Sequence, residues 1–160
     1  MAMPPLLTYW HRQAAPLCLL LYMLAAILLM VSWRLHEPIV GTILSASGLL
    51  TLLLALSFHH LTVVDEGDVL AIRFGPLPLF RTAVRYDDIL RVEIGRTTIS
   101  EGWGIHLSLR GGWVWNLWGR DCVVLHMKRG NVLRLGTDDA ENLARFIRSR
   151  IEDYREHPST

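Results

Sequence analysis

Two long apolar runs stand at the head of the chain, and short alternating runs follow them. Residues 14–33 and 38–58 contain no charged side chain. At about 1.5 Å per residue, each is long enough as a helix to cross a hydrocarbon core of roughly 30 Å. Lipid offers the backbone no hydrogen bonds, so an unbroken apolar run without alternation predicts a helix that satisfies its own amides. The break between the runs is polar and ends in Pro38, which suits a helix's first turn. The predicted unit is a helical hairpin with both ends on one side of a membrane. After His59-His60 the period shortens to that of strands. Runs at 61–65, 69–74, 80–86, 89–98, 105–109, 113–118, 122–128 and 132–135 are rich in Leu, Val, Ile and aromatic residues. Turn signals separate them: Glu66-Gly67-Asp68, Asp87-Asp88, Gly111-Gly112, Gly119-Arg120-Asp121 and Arg129-Gly130-Asn131. A loop at 75–79 carries Pro76 and Pro78, which cannot sit inside a sheet, next to apolar Leu77 and Leu79. This pattern predicts a small antiparallel barrel or sandwich. Asp138 with Glu141 then reads as a capping box, and Leu143, Ala144, Ile147, Ile151 and Tyr154 return at helical spacing. The predicted plan is an N-terminal tail (1–13), a transmembrane hairpin (14–58), one β-rich domain closed by a helix (59–156) and a short tail (157–160).

Composition sharpens this plan. The chain has 160 residues, 51% of them hydrophobic, with a mean hydropathy of +0.30, and the excess lies before residue 58. Beyond Leu61 there are fourteen basic and fourteen acidic residues, so no net field draws the domain to nucleic acid. Cys18 lies in the first span and Cys122 far along the domain, so no disulfide framework is implied. Arg12 and Arg34 stand on opposite sides of the hairpin, nearly a tie by the positive-inside rule. A free cysteine in the domain and the absence of a cleavage site after the first span favour a cytoplasmic domain. The expected location is therefore an inner, cytoplasmic membrane.

Several stretches resemble the bacterial pleckstrin-homology-like domains: Phe74-Gly75-Pro76-Leu77-Pro78-Leu79, Gly102-Trp103-Gly104-Ile105, and the run from Leu133 through Gly136-Thr137-Asp138 to Leu143. The resemblance covers roughly residues 58–152. It implies a PH-like barrel of two bent sheets plugged by a C-terminal helix, often preceded by one or two spans. It implies binding, scaffolding or assembly of membrane complexes, and it carries no catalytic site.

The most unusual soluble stretch is Trp113-Val114-Trp115-Asn116-Leu117-Trp118. Three large rings at Trp113, Trp115 and Trp118 exceed what one small core can take, so a partner surface is expected beside the plainer reading of barrel packing. Gly41, Ser45 and Gly48 form a small-residue stripe on the second span, opposite Cys18, Tyr22 and Ala25 of the first. Such a stripe serves packing within the hairpin, the preferred reading, or contact with another membrane subunit or a second copy. Arg110, Arg120, Lys128, Arg129 and Arg134 against Asp121 give residues 105–135 a local positive excess. Arg120, Lys128 and Arg129 are expected lipid contacts, with Trp10 and Trp33 as interfacial anchors; a solvated rim is the alternative. Cys122 and His126 share a strand face but lack a third ligand, and no HExxH, paired CxxC, nucleophile elbow or phosphate loop appears. The expectation is a non-enzymatic protein without metal or cofactor.

Overall fold

In a computed structural model, which describes residues 8–77, 79–97, 104–108 and 111–156, both apolar runs are helices, α1 (Leu17–Arg34) and α2 (Pro38–Ser57). Pro38 occupies the first turn of α2, where an amide would have had no intrahelical acceptor. Both helices are long and apolar enough to cross a bilayer, and only 11% of each is buried, so neither is the core helix of a soluble fold. They pack antiparallel along the small stripe. A Cβ at Gly48 would lie 2.8 Å from Leu29 Cγ. Ser32 Oγ donates to the Gly41 carbonyl at 2.7 Å and sits 2.6 Å from Ser45 Oγ. Gly41, Ser45 and Gly48 thus face α1 of the same chain. Antiparallel register sets them against Leu29 and Ser32, and not against the Cys18, Tyr22, Ala25 stripe that spacing alone suggested. Cys18 and Tyr22 lie instead at the other end of the pair, beside His59.

The segment before α1 is not a tail. Trp10–Ala14 forms β1, which pairs antiparallel with β2 (His60–Asp65), the first element after α2, from Trp10↔Val64 to Ala14↔His60. The helical hairpin is therefore inserted between two neighbouring strands of one sheet. β3 (Val69–Phe74) and β4 (Arg81–Arg85) complete that sheet in the order β1-β2-β3-β4. A 3-10 turn at Tyr86–Asp88 leads to β5 (Ile89–Arg96) and the second sheet, with β6 (Gly104–Leu107), β7 (Trp113–Asn116), β8 (Asp121–Met127) and β9 (Val132–Gly136). Its order is β5-β8-β9-β7-β6.

Two expectations change here. β7 and β9 are parallel, so the sheet is mixed where all-antiparallel pairing was predicted. Among the described residues no strand pairing joins the two sheets, so the barrel is open. The rings of Phe80, Trp113 and Trp115 line a cleft between the β4 edge and β7 and β9. β7 and β9 are each paired on both sides within their own sheet, whose outer strands are β5 and β6, so they offer β4 no free edge to extend. The strand ends predicted at 98 and 109, the Gly102-Trp103 pair, Pro78, and the terminal residues 1–7 and 157–160 lie outside the described residues.

The closing helix, α3 (Ala140–Glu156), buries Leu143, Ala144, Ile147 and Ile151 in a core shared with Leu61, Ile72, Leu125 and Leu135. The Asp138–Glu141 box is displaced. Asp139 precedes the helix, its amide donating to Thr137 Oγ1 at 3.1 Å, while Asp138 lies 2.5 Å from His11 Nε2 of β1. A buried network ties α3 to the first sheet at the end away from α1 and α2. Asp65 accepts from Tyr86 Oη at 3.0 Å and from Arg150 at 2.5 Å. Burial, with Asp65 beside it, pushes the Tyr86 phenol well above its ordinary range.

Candidate docking cleft

The chain leaves α2 through Phe58, whose ring stacks on Phe80 at 5.3 Å and meets Phe74 edge-on at 5.4 Å. Phe74 in turn touches Trp115 at 5.7 Å. This row of rings links the end of the helical hairpin to the inner faces of both sheets. Gly75 makes the close approach possible. Its φ is +64°, and a Cβ there would lie 2.3 Å from the Leu56 carbonyl oxygen. Only glycine tolerates both the dihedral and the contact. Its amide donates to the His60 carbonyl at 2.7 Å.

Beside this junction lies a cleft of about 520 Å³, with Leu79, Phe80 and Val84 on one wall and Trp113, Trp115 and Leu133 on the other. Its volume falls in the range of roughly 300–1,000 Å³ usual for ligand sites. Arg81, Thr82 and Asn131 supply most of its polar groups. Leu79 is 58% exposed and Trp113 50%. Leu107, 65% exposed, pairs with Trp113 across β6 and β7 and extends the apolar rim. Among the described residues β4 is the outer strand of its sheet and has no partner on its far side, so the cleft has an unpaired strand edge along one side and apolar side chains as its floor.

Of the three tryptophans singled out by sequence, the structure brings Trp113 and Trp115 into this cleft. Trp118 lies beyond the end of β7, packed against the core, and its carbonyl accepts from Gln13 Nε2 at 2.9 Å. The opposite wall, Leu79 and Phe80, was missed as a site. Its signal was the apolar character of the proline-containing loop at 75–79, which carries Leu77 and Leu79 and leads into Phe80.

The basic residues do not form the single rim expected. Arg120 precedes β8, while Lys128 and Arg129 follow it, which places Arg120 and Lys128 roughly 27 Å apart at about 3.4 Å per strand residue. Lys128 donates its amide to the Asp88 carbonyl at 2.8 Å, past the far end of β4. Trp10 is a strand residue on the outer face of the first sheet, 64% exposed, and not a cap to a helix end. Trp33 is 87% exposed in the last turn of α1, at the hairpin's opposite tip.

A polar cluster marks the junction of helices and sheet. Cys18 Sγ and Tyr22 Oη lie 3.6 Å and 3.4 Å from His59 Nδ1. Arg12 Nη2 lies 3.0 Å from His60 Nδ1. Arginine can only donate, so His60 accepts at Nδ1 and is neutral. Burial first, then Arg12 and His59, hold its pKa below the ordinary imidazole value. Among the described residues no group of three or more His, Cys, Asp or Glu could hold a metal ion. His126 faces Glu93 at 3.2 Å, and Cys122 is buried.

No family model matches the chain. No curated protein matches it either.

Proposed function

We propose that this chain is a membrane-anchored binding protein whose PH-like domain holds another membrane protein subunit at the cytoplasmic surface, as an accessory, assembly or stabilising component. The observation that carries the reading is the apolar cleft of Trp113, Trp115, Leu79 and Phe80 beside the exit of α2. Large apolar surface left open next to an anchor serves a partner better than it serves the fold. The open β4 edge and the aromatic floor suit an extended segment with apolar side chains at alternate positions, which pairs its backbone with β4 and seats those side chains in the cleft. Supporting the membrane half of the reading are two helices of spanning length that bury only the faces they turn to each other and to the domain and leave large apolar side chains exposed elsewhere. Supporting the PH-like half is the order of elements, a β-rich domain closed by one amphipathic helix.

The test is photo-crosslinking in cells with a photoreactive residue at position 113. The expected adduct is with a membrane protein whose own juxtamembrane segment returns the crosslink when labelled reciprocally, and it is lost on Leu79→Ser with Phe80→Ser. Adducts confined to lipid, or unchanged by the wall substitutions, overturn the reading.

A further inference from the structure

The ladder between β3 and β4 fixes which backbone groups of β4 are already engaged. At one end the Phe74 amide donates to the Phe80 carbonyl at 3.0 Å, and at the other the Tyr86 amide donates to the Asp68 carbonyl at 3.2 Å. Bonded and non-bonded residues alternate along an antiparallel pair, so the amides and carbonyls of Phe80, Thr82, Val84 and Tyr86 turn toward β3. Those of Arg81, Ala83 and Arg85 turn toward the open edge and have no backbone partner among the described residues. Side chains divide by the same parity. Phe80, Thr82 and Val84 line the cleft, whereas Arg81, Ala83 and Arg85 belong to the outer face, with Arg81 at the cleft's border.

Another edge of the molecule is guarded, and this one is bare. On β5, an outer strand of the second sheet, Arg148 and Arg155 of α3 donate to the carbonyls of Val92 and Leu90 at 3.2 Å and 3.1 Å. Occupied in this way, an edge no longer accepts a further strand. Among the described residues no side chain bonds the carbonyls of Arg81, Ala83 or Arg85.

Charge selects what can pair there. Arg12, Thr62, Arg73 and Arg81 are successive neighbours across the outer face of the first sheet. Arg73 is paired with Glu66, and Arg85 with Asp87. Arg81 stands at the edge, directly opposite Arg73, and has no acidic partner among the described residues. Like charges opposite each other destabilise a ladder, and an acid on the next strand offsets that. A second copy of β4 cannot supply it. Antiparallel pairing about Ala83 sets Arg81 of each copy against Arg85 of the other, and pairing about Arg81 sets the two Arg81 side chains together.

We infer that the segment taken up by the cleft is acidic. It adds a strand to the edge-facing backbone of Arg81, Ala83 and Arg85, carries Asp or Glu opposite Arg81, and turns the apolar side chains flanking that acid into the cleft, over Phe80 and Thr82 and toward Trp113 and Trp115. This rests on the cleft reading above and gives the occupant its register and its charge.

The test selects random linear peptides on the full chain in nanodiscs, with the affinities of enriched peptides then measured by fluorescence anisotropy. The expected peptides alternate apolar residues, carry one Asp or Glu between two of them, and lose binding to the Leu79→Ser, Phe80→Ser chain. Replacing the peptide's acid by its amide, or introducing Arg81→Glu in the chain, lowers affinity roughly threefold to fivefold, the scale of one directly opposed charge pair. A peptide with Lys in place of the acid binds the Arg81→Glu chain better than it binds wild type. Ala83→Pro removes an amide that β3 does not use and abolishes binding. Enriched peptides without the acid, an affinity unmoved by Arg81→Glu, or wild-type affinity in a folded Ala83→Pro chain overturns the inference and leaves the cleft reading standing. If Ala83→Pro fails to fold, the charge exchange at position 81 decides. Failure to enrich any peptide that depends on Leu79 and Phe80 overturns the cleft reading itself.

Discussion

At the end of the β domain farthest from the helices, α3 sets Arg150 against Asp65 and Tyr86 and buries a full helix face. At the seam beside α2, the β4 edge has no strand partner among the described residues, and Leu79, Phe80 and Trp113 remain partly in solvent. The strands at both places are short, apolar and similar in composition, so residue type does not explain the contrast. What differs is the neighbour. One end is completed by an element of the same chain, in which removal of any polar member strands another. The other is an apolar cleft lined by large rings. The first arrangement secures the fold, and the second leaves surface available for binding.

That contrast breaks most readily at Arg150. Arg150→Ala leaves the Asp65 carboxylate buried without its cation and is expected to destabilise the chain by about 3–5 kcal/mol. Denaturant unfolding in detergent measures it, and a loss under 1 kcal/mol would mean the closed end is not held by this network. Next in size is Gly75→Ala, which drives a Cβ into the Leu56 carbonyl and strains a positive φ. A loss of about 2–3 kcal/mol is expected, with the β3–β4 loop lifted from the end of α2 and seen as faster exchange of the position-75 amide than in the wild-type chain. Trp113→Ala should move stability by no more than about 1 kcal/mol, since half of the ring is already in solvent, while abolishing partner crosslinking. A large stability loss there would make the open seam part of the core and erase the contrast.

The smallest effect is a pH dependence at the junction. His60 is kept neutral in the fold, whereas in the unfolded chain it takes up a proton near its ordinary value of 6.5. Its contribution is complete above that pH and is lost as pH falls below it, because the unfolded state then binds more protons. Melting should therefore weaken on going from pH 7 to pH 5. His60→Gln should flatten that dependence, and an unchanged slope in the variant would assign it to other groups.

Much of this arrangement was legible before any coordinates. The two spans lie within three residues of where the charge-free runs put them, and Val69–Phe74 falls where alternation between turn signals put it. The helix face of Leu143, Ala144, Ile147 and Ile151 is the one that packs. Half of the cleft was legible too, because Trp113 and Trp115 share a strand face by parity alone. β1 was not legible. Trp10-His11-Arg12-Gln13-Ala14 has no apolar alternation, and its pairing partner lies on the far side of the whole helical hairpin. The parallel β7–β9 pair was hidden for a related reason, since β8 intervenes and nothing local records which neighbour a strand will choose.

The sequence by itself determined the elements that depend on local solvation: which segments are too apolar for water, which alternate, and which carry one greasy helical face. Those properties belong to residues a few positions apart and are written in their spacing. Tertiary structure alone decided what depends on strand register. Arg12, Arg73 and Arg81 became one row, Phe80 came to face Trp113 across a cleft, and Arg120 was separated from Lys128. Backbone ladders fix those distances between positions tens of residues apart, and no periodicity in the chain can encode them.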